Sequence, residues 1–115
     1  MTPREIAEAF TAALREGRGE ERRFWSEGVV SLEAMDGPMA RCEGRAAVDA
    51  KGEWWMANHE VHGFTADGPF VHGNQFALRF TIDVTSKADG ARTAMTEVGL
   101  YTVADGAIIE ERFFY

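Results

Sequence analysis

The residues best suited to chemistry lie in the last segment, Ile108-Ile109-Glu110-Glu111-Arg112-Phe113-Phe114-Tyr115, where three charges interrupt an otherwise apolar strand. A carboxylate inside a protein can act as general base or acid when its surroundings bring its pKa toward working pH. Successive side chains on a strand point to opposite faces, so Glu110 and Arg112 share one face and Glu111 takes the other. Burying an unpaired charge is very costly, so each needs a partner or a wet cavity. The segment predicts a sheet with a polar pocket on one side and an interface on the other.

His59 follows Trp55 by one helical turn, where it could reach a cavity mouth as acid or base. The spacing His59-x-x-His62 bridges a helix end and a strand start, His72 falls in a hairpin, and no cysteine pair joins them. No metal site is expected from that set. Cys42 stands alone, without a sequence-adjacent activating pattern, so neither a disulfide framework nor a nucleophilic thiol is expected. The chain has no glycine-rich phosphate cradle, P-loop or dinucleotide fingerprint, which predicts no nucleotide cofactor.

These groups must be positioned by one domain, because 115 residues give a real core but not two. Twelve basic residues against nineteen acidic ones leave a net charge of -7, which opposes nucleic-acid binding. No apolar run approaches the ~20 residues of a membrane span, and the charged start Met1-Thr2-Pro3-Arg4-Glu5 does not resemble a leader. With a single cysteine, the expected location is the reducing cytoplasm.

Thr2, Pro3 and Glu5 form a capping-box start for a first helix, whose apolar stripe is Ile6, Ala9, Phe10, Ala13 and Leu14, ended by Gly17 and Gly19. A short second helix is expected over about Glu20 to Trp25, a strand over Val29 to Met35, and a third helix over about Arg45 to Asn58. From His59 onward the pattern is β, in segments near 59–72, 75–87, 91–103 and 107–114. Helices first and an antiparallel meander last predict an α+β domain, with helices against one face of a curved sheet.

Gly73-Asn74 fits a two-residue hairpin, and Ala88-Asp89-Gly90 and Ala104-Asp105-Gly106 fit three-residue loops. That register gathers Phe76, Leu78, Phe80, Ile82, Val98, Leu100, Ile108, Glu110, Arg112 and Phe114 on the face that receives the helices. Arg79, Glu97, Tyr101 and Glu111 fall on the other face, as in a polar-threaded dimer interface. A two-residue turn at either Asp-Gly would exchange these assignments.

The order α-α-β-α-β-β-β-β with its closing strand resembles the SnoaL-like branch of the nuclear transport factor 2-like superfamily. Phe24-Trp25-Ser26-Glu27-Gly28-Val29-Val30 is similar to its second-helix-to-strand passage. Gly44-Arg45-Ala46-Ala47-Val48 is similar to the opening of its third helix, and Asp105-Gly106-Ala107-Ile108 to its final hairpin. The resemblance implies a cone-shaped fold, three helices partly closing a strongly bent sheet around a pocket, and commonly a homodimer joined through the sheets. Relatives include polyketide cyclases, ketosteroid isomerases, dehydratases and epoxide hydrolases, and also members without catalysis, so the fold does not carry the function. By the same resemblance, Glu33 takes the position of the ketosteroid isomerases' general-base aspartate. Phe10 takes that of their first-helix tyrosine, and phenylalanine cannot donate a hydrogen bond.

The expected function is a dimeric pocket protein for a small, mainly apolar molecule. Glu33, Glu110 and His59 are its candidate catalytic groups; Arg112, Trp55, Phe80, Phe10 and Leu100 are its candidate ligand contacts. If catalytic, it would perform cofactor-free isomerisation, cyclisation or dehydration. The alternative is a non-catalytic ligand-binding or association module.

Overall fold

The structure is a computed structural model that describes residues 1–115. Helix α1 (Pro3–Glu16) opens with the expected box: Glu5 N–H donates to Thr2 Oγ1 at 3.2 Å, and Thr2 N–H donates to Glu5 Oε1 at 2.9 Å. Gly17 stops it in the left-handed region at φ 71°, donating its N–H to the Leu14 carbonyl. The expected second helix is one short 3₁₀ segment, Glu20–Phe24, so the domain has two α-helices rather than three. The second, α2 (Arg45–Asn58), has the expected bounds.

Strand β1 (Trp25–Leu32) begins at Trp25 rather than Val29, and a short β2 (Arg41–Glu43) follows it. The chain then forms β3 (His59–His72), β4 (Gln75–Ser86), β5 (Arg92–Ala104) and β6 (Ala107–Phe114). All six strands form one sheet in the order β2-β1-β6-β5-β4-β3, antiparallel except for the parallel pair β1–β6. Register breaks occur in β1–β6, twice in β3–β4 and once in β5–β6. Each extra residue bends its strand and adds twist, which is how a sheet curls into a cone. The concave face receives α1: Phe10 meets Phe24, Phe76 and Tyr101, with ring centroids 6.5, 5.8 and 4.9 Å away.

The β4–β5 hairpin overturns the expected faces, while the shift at the β5–β6 turn is cancelled by a bulge. Ser86 N–H donates to the Ala91 carbonyl at 2.9 Å, so the β4–β5 loop is the four residues Lys87 to Gly90. Phe80 therefore sits opposite Glu97, Leu78 opposite Gly99, and Phe76 opposite Tyr101. At the next hairpin Ala104 pairs with Ala107, leaving Asp105 and Gly106 as a two-residue turn with φ 51° and 76°. Positive φ at both positions is the type I′ geometry that matches strand twist. Beyond it Ile109 is an extra residue between the pairs Val103–Ile108 and Thr102–Glu110, and Tyr101 faces Glu111.

A slip of one residue moves every side chain of a strand to the other face. Glu97, Gly99, Tyr101, Glu111 and Phe113 thus share the concave face with Phe76, Leu78, Phe80 and Ile82. Glu110, Arg112, Leu100, Val98 and Phe114 lie on the convex face, which removes Glu110, Arg112 and Leu100 from the pocket. The expected interface set is divided as well: Tyr101 and Glu111 are buried, Glu97 faces inward, and only Arg79 is exposed outside, 3.9 Å from Asp67. No helix is long and apolar enough to cross a membrane.

Candidate functional site

A cavity of about 190 Å³ lies between α1, the 3₁₀ segment and the concave sheet. Its apolar wall is Phe10 and Leu14 from α1, Phe64, Phe80 and Ile82 from β3 and β4, and Phe113 from β6. Glu21, Trp25, Glu97, Tyr101 and Glu111 complete the lining. A second hollow of about 350 Å³ shares Glu21, Phe64 and Ile82 with it and is bounded by Arg22, Trp55, Met56 and Val61. Gly99 keeps the main cavity open: a Cβ there would stand 3.0 Å from the Phe80 ring, the Tyr101 ring and the Tyr101 hydroxyl.

The two inward carboxyls of β5 and β6 differ in how they are held. Glu111 is 5% exposed, and Ser31 Oγ donates to its Oε2 at 2.7 Å. Burial pushes the Glu111 carboxyl above the ordinary range, opposed by that hydrogen bond and by Lys51. Glu97 is raised by burial and by the charge of Glu33, opposed by Lys51, and no hydrogen bond contributes to its state. Tyr101 is driven well above the ordinary tyrosine range, first by burial and then by Glu111 and Glu97. It therefore remains a neutral phenol at physiological pH, able to donate a hydrogen bond.

Behind this cavity lies a chain of polar contacts. Lys51 Nζ donates to Ser31 Oγ at 2.6 Å and meets Glu33 Oε1 at 2.8 Å, while Tyr115 donates to Glu33 Oε2 at 3.0 Å. The ammonium also lies 5.2 Å from the Phe113 ring centroid. Local sequence explains the convergence: Val29, Ser31 and Glu33 alternate inward from β1, and Lys51 lies one turn after Val48 on α2. The Ser31–Lys51 contact has the residue types of a nucleophile and its base. Ser31 is fully buried and outside the cavity lining, however, and Lys51 is ion-paired, so the contact supports Glu111 instead.

A family model described as SnoaL-like domain matches residues 1–115. The chain belongs to the SnoaL-like domain family. A crystal structure of a candidate SnoaL-like polyketide cyclase from Mesorhizobium loti is 51% identical over 100% of both chains, with a TM-score of 0.96. A protein of unknown function with a cystatin-like fold from Xanthomonas campestris is 20% identical over 99% of this chain and 90% of that one, with a TM-score of 0.81. A protein with a ketosteroid isomerase-like fold from Catenulispora acidiphila, in complex with trimethylamine, is 19% identical over 100% of this chain and 87% of that one, with a TM-score of 0.75. The last two show the fold alone. No curated protein matches the sequence.

Within this SnoaL-like domain, Phe10 and Phe80 line the main cavity, and Trp55 lines the adjoining hollow. Glu33 turns inward but is bound by Lys51 and Tyr115 rather than lining the cavity. His59 lies outside both hollows; its ring stacks on Trp55 at 4.4 Å, with Nδ1 2.8 Å from the Trp55 carbonyl. Glu110 and Arg112 pair with each other at 3.5 Å on the convex face. No group of three or more His, Cys, Asp or Glu side chains is arranged to hold a metal ion.

Sequence reasoning assigned Glu97, Tyr101 and Glu111 to the wrong face, gave no cavity role to Glu21 or Phe64, and gave Ser31 and Lys51 no part in supporting Glu111. The deciding feature for the first three was the loop before β5, where Lys87 leaves the strand to join Ala88-Asp89-Gly90 and turns β5, with β6 beside it, by one residue. For Ser31 it was the alternation through Val29, Ser31 and Glu33.

Proposed function

We propose that this SnoaL-like domain binds a small, mainly apolar molecule in the main cavity and moves a proton on it without a cofactor. Glu97 is the base that takes the proton, and Tyr101 is the neutral donor that steadies the charge developing on the molecule. The observation that carries this reading is the Glu97 carboxyl, set in an apolar cavity with no hydrogen-bond partner and raised by burial. A base works best when its pKa lies near working pH, and desolvation moves a carboxyl that way. Isomerisation, cyclisation and dehydration each require such a transfer. The relative from Mesorhizobium loti is described as a candidate polyketide cyclase, with carbohydrate phosphatase printed beside it, and the first of these descriptions favours this class of chemistry. Tyr101, on β5, supplies the hydroxyl that Phe10 cannot.

A chromogenic proton-abstraction probe tests the reading without the natural substrate. 5-Nitrobenzisoxazole loses its ring C–H proton to a base as its N–O bond breaks, releasing a coloured phenolate. Glu97→Gln is expected to remove the protein-dependent rate, while Glu110→Gln on the convex face leaves it unchanged. An undiminished rate in the Glu97 variant would overturn the assignment of the base.

We also propose that two copies pair through the convex face. Phe114 is 47% exposed there, opposite Val98, and Leu100 and Leu32 flank Arg112 in the same sheet. Apolar side chains gathered on one open sheet face favour association.

A further inference from the structure

The main cavity and the second hollow rest on the same stretch of sheet. Phe64 of β3 and Ile82 of β4 line both, and they are cross-strand partners. On β4 the inward residue before Ile82 is Phe80, which lines the main cavity. The floor therefore runs from one space to the other through successive side chains of one strand. A bulge widens it on β3. Val61 pairs with Val84 and Gly63 with Asp83, so His62 is an extra residue. Val61 and Phe64, three positions apart, consequently share the inward face, which an unbroken strand would deny them. Both line the second hollow.

That hollow is apolar where it meets solvent. Val61 is 37% exposed, Phe64 39% and Met56 56%, and the half-buried Trp55 stands beside Met56 on α2. A single exposed apolar side chain is ordinary, but these converge on one concavity from β3 and the end of α2. The cation on its rim, Arg22, is engaged by Asp49 at 3.2 Å, which leaves no free charge there to select an anion. Size separates the two spaces. An apolar cavity of about 150 Å³ holds one benzene, so the main cavity of about 190 Å³ takes a single ring. The second hollow, about 350 Å³, has room for a chain attached to it.

We infer that the second hollow is the other half of one ligand site: the ligand is a ring-sized apolar body in the main cavity carrying an apolar arm, laid over Ile82, Phe64 and Val61 toward Trp55. The ligand class is a single ring with an alkyl or acyl substituent. This rests on the main cavity being the binding site and is independent of Glu97 acting as a base. Val61, Met56 and Trp55 are specificity-determining contacts for the arm.

Phenol, para-ethylphenol and para-butylphenol, titrated into the ¹⁵N-labelled protein, decide the matter, because ring and hydroxyl stay constant while the arm grows. The indole N–H signal of Trp55 is assigned by Trp55→Phe. Affinity is expected to rise about fourfold for each methylene, the scale of burying that group. The Trp55 signal should move with the butyl probe and stay in place with phenol. Val61→Asp and Met56→Asp, both at partly exposed positions outside the core, are each expected to flatten the series while phenol binds as it does to the parent. Phenol binding with no gain along the series would overturn the inference and leave the main cavity as the site. A gain that survives both substitutions would also overturn it, by showing that the arm lies elsewhere. A parent protein that binds none of the three would overturn the main-cavity reading together with this one.

Discussion

Lys51 Nζ stands 2.8 Å from Glu33 Oε1, joining the middle of α2 to the residue just beyond β1. The pair is mostly buried, with 13% and 22% of the two side chains exposed, and the same ammonium holds Ser31, which holds Glu111. One cation thus offsets two inward carboxylates. Removing it leaves Glu33 without its countercharge and Ser31 without its donor.

Lys51→Met is expected to destabilise the domain by about 2 kcal/mol, below the range for a fully buried pair because both partners keep some solvent contact. Thermal unfolding should show this as a Tm lower by roughly 8 °C. Adding Glu33→Gln should restore part of the loss, since the stranded charge is then gone. A double variant no more stable than Lys51→Met would show that the pair is not what the lysine contributes.

The cavity carboxyls give a pH dependence with a definite sign. Glu97 and Glu111 have folded-state pKa values raised above their unfolded ones. The folded state therefore binds more protons in that window, and stability falls as pH rises from about 4.3 through each raised value. Glu97→Gln removes one such group, so its Tm should exceed that of the parent protein at pH 8. The difference should shrink toward pH 4. The measurement is a series of melts at fixed ionic strength.

The sequence made the architecture readable because its strongest signals are local. Thr2-Pro3-Glu5 starts α1, Gly17 ends it, and Gly73-Asn74 closes a hairpin, each through contacts a few residues apart. The faces of β5 and β6 were not readable in the same way. They turn on whether Lys87 belongs to a loop or a strand, a difference of one residue, since the shift at the Ala104–Ala107 turn is undone by the extra residue Ile109. Opposite faces of β6 carry similar chemistry, Glu110 with Arg112 and Glu111 with Phe113, so composition could not decide between them. The parallel pairing of β1 with β6, which brings Ser31 to Glu111, is a long-range contact that no local pattern announces.

Gly99 holds space for a ligand rather than an unusual backbone. Gly99→Ala would place a methyl 3.0 Å from the Phe80 and Tyr101 rings and must push one aside. Overpacking of this kind costs about 1–3 kcal/mol. The expected result is a lower Tm together with a reduced Glu97-dependent rate on 5-nitrobenzisoxazole. A variant as fast as the parent would mean that the probe does not approach Tyr101.

On the convex face, Leu100→Asp should prevent pairing of two copies while leaving the fold intact, because Leu100 points away from the core. Native mass measurement and sedimentation report the assembly, and circular dichroism reports the fold. A parent protein that is monomeric at micromolar concentration would contradict the convex interface.

The central claim is that Glu97 is a partly desolvated base in a mainly apolar cavity, and its own titration tests this most directly. With ¹³Cδ-labelled glutamate, assigned through Glu97→Gln, the carboxyl shift of Glu97 can be followed from pH 3 to pH 9. The account predicts a midpoint clearly above the ~4.3 of a free glutamate. A midpoint at or below that value would contradict it.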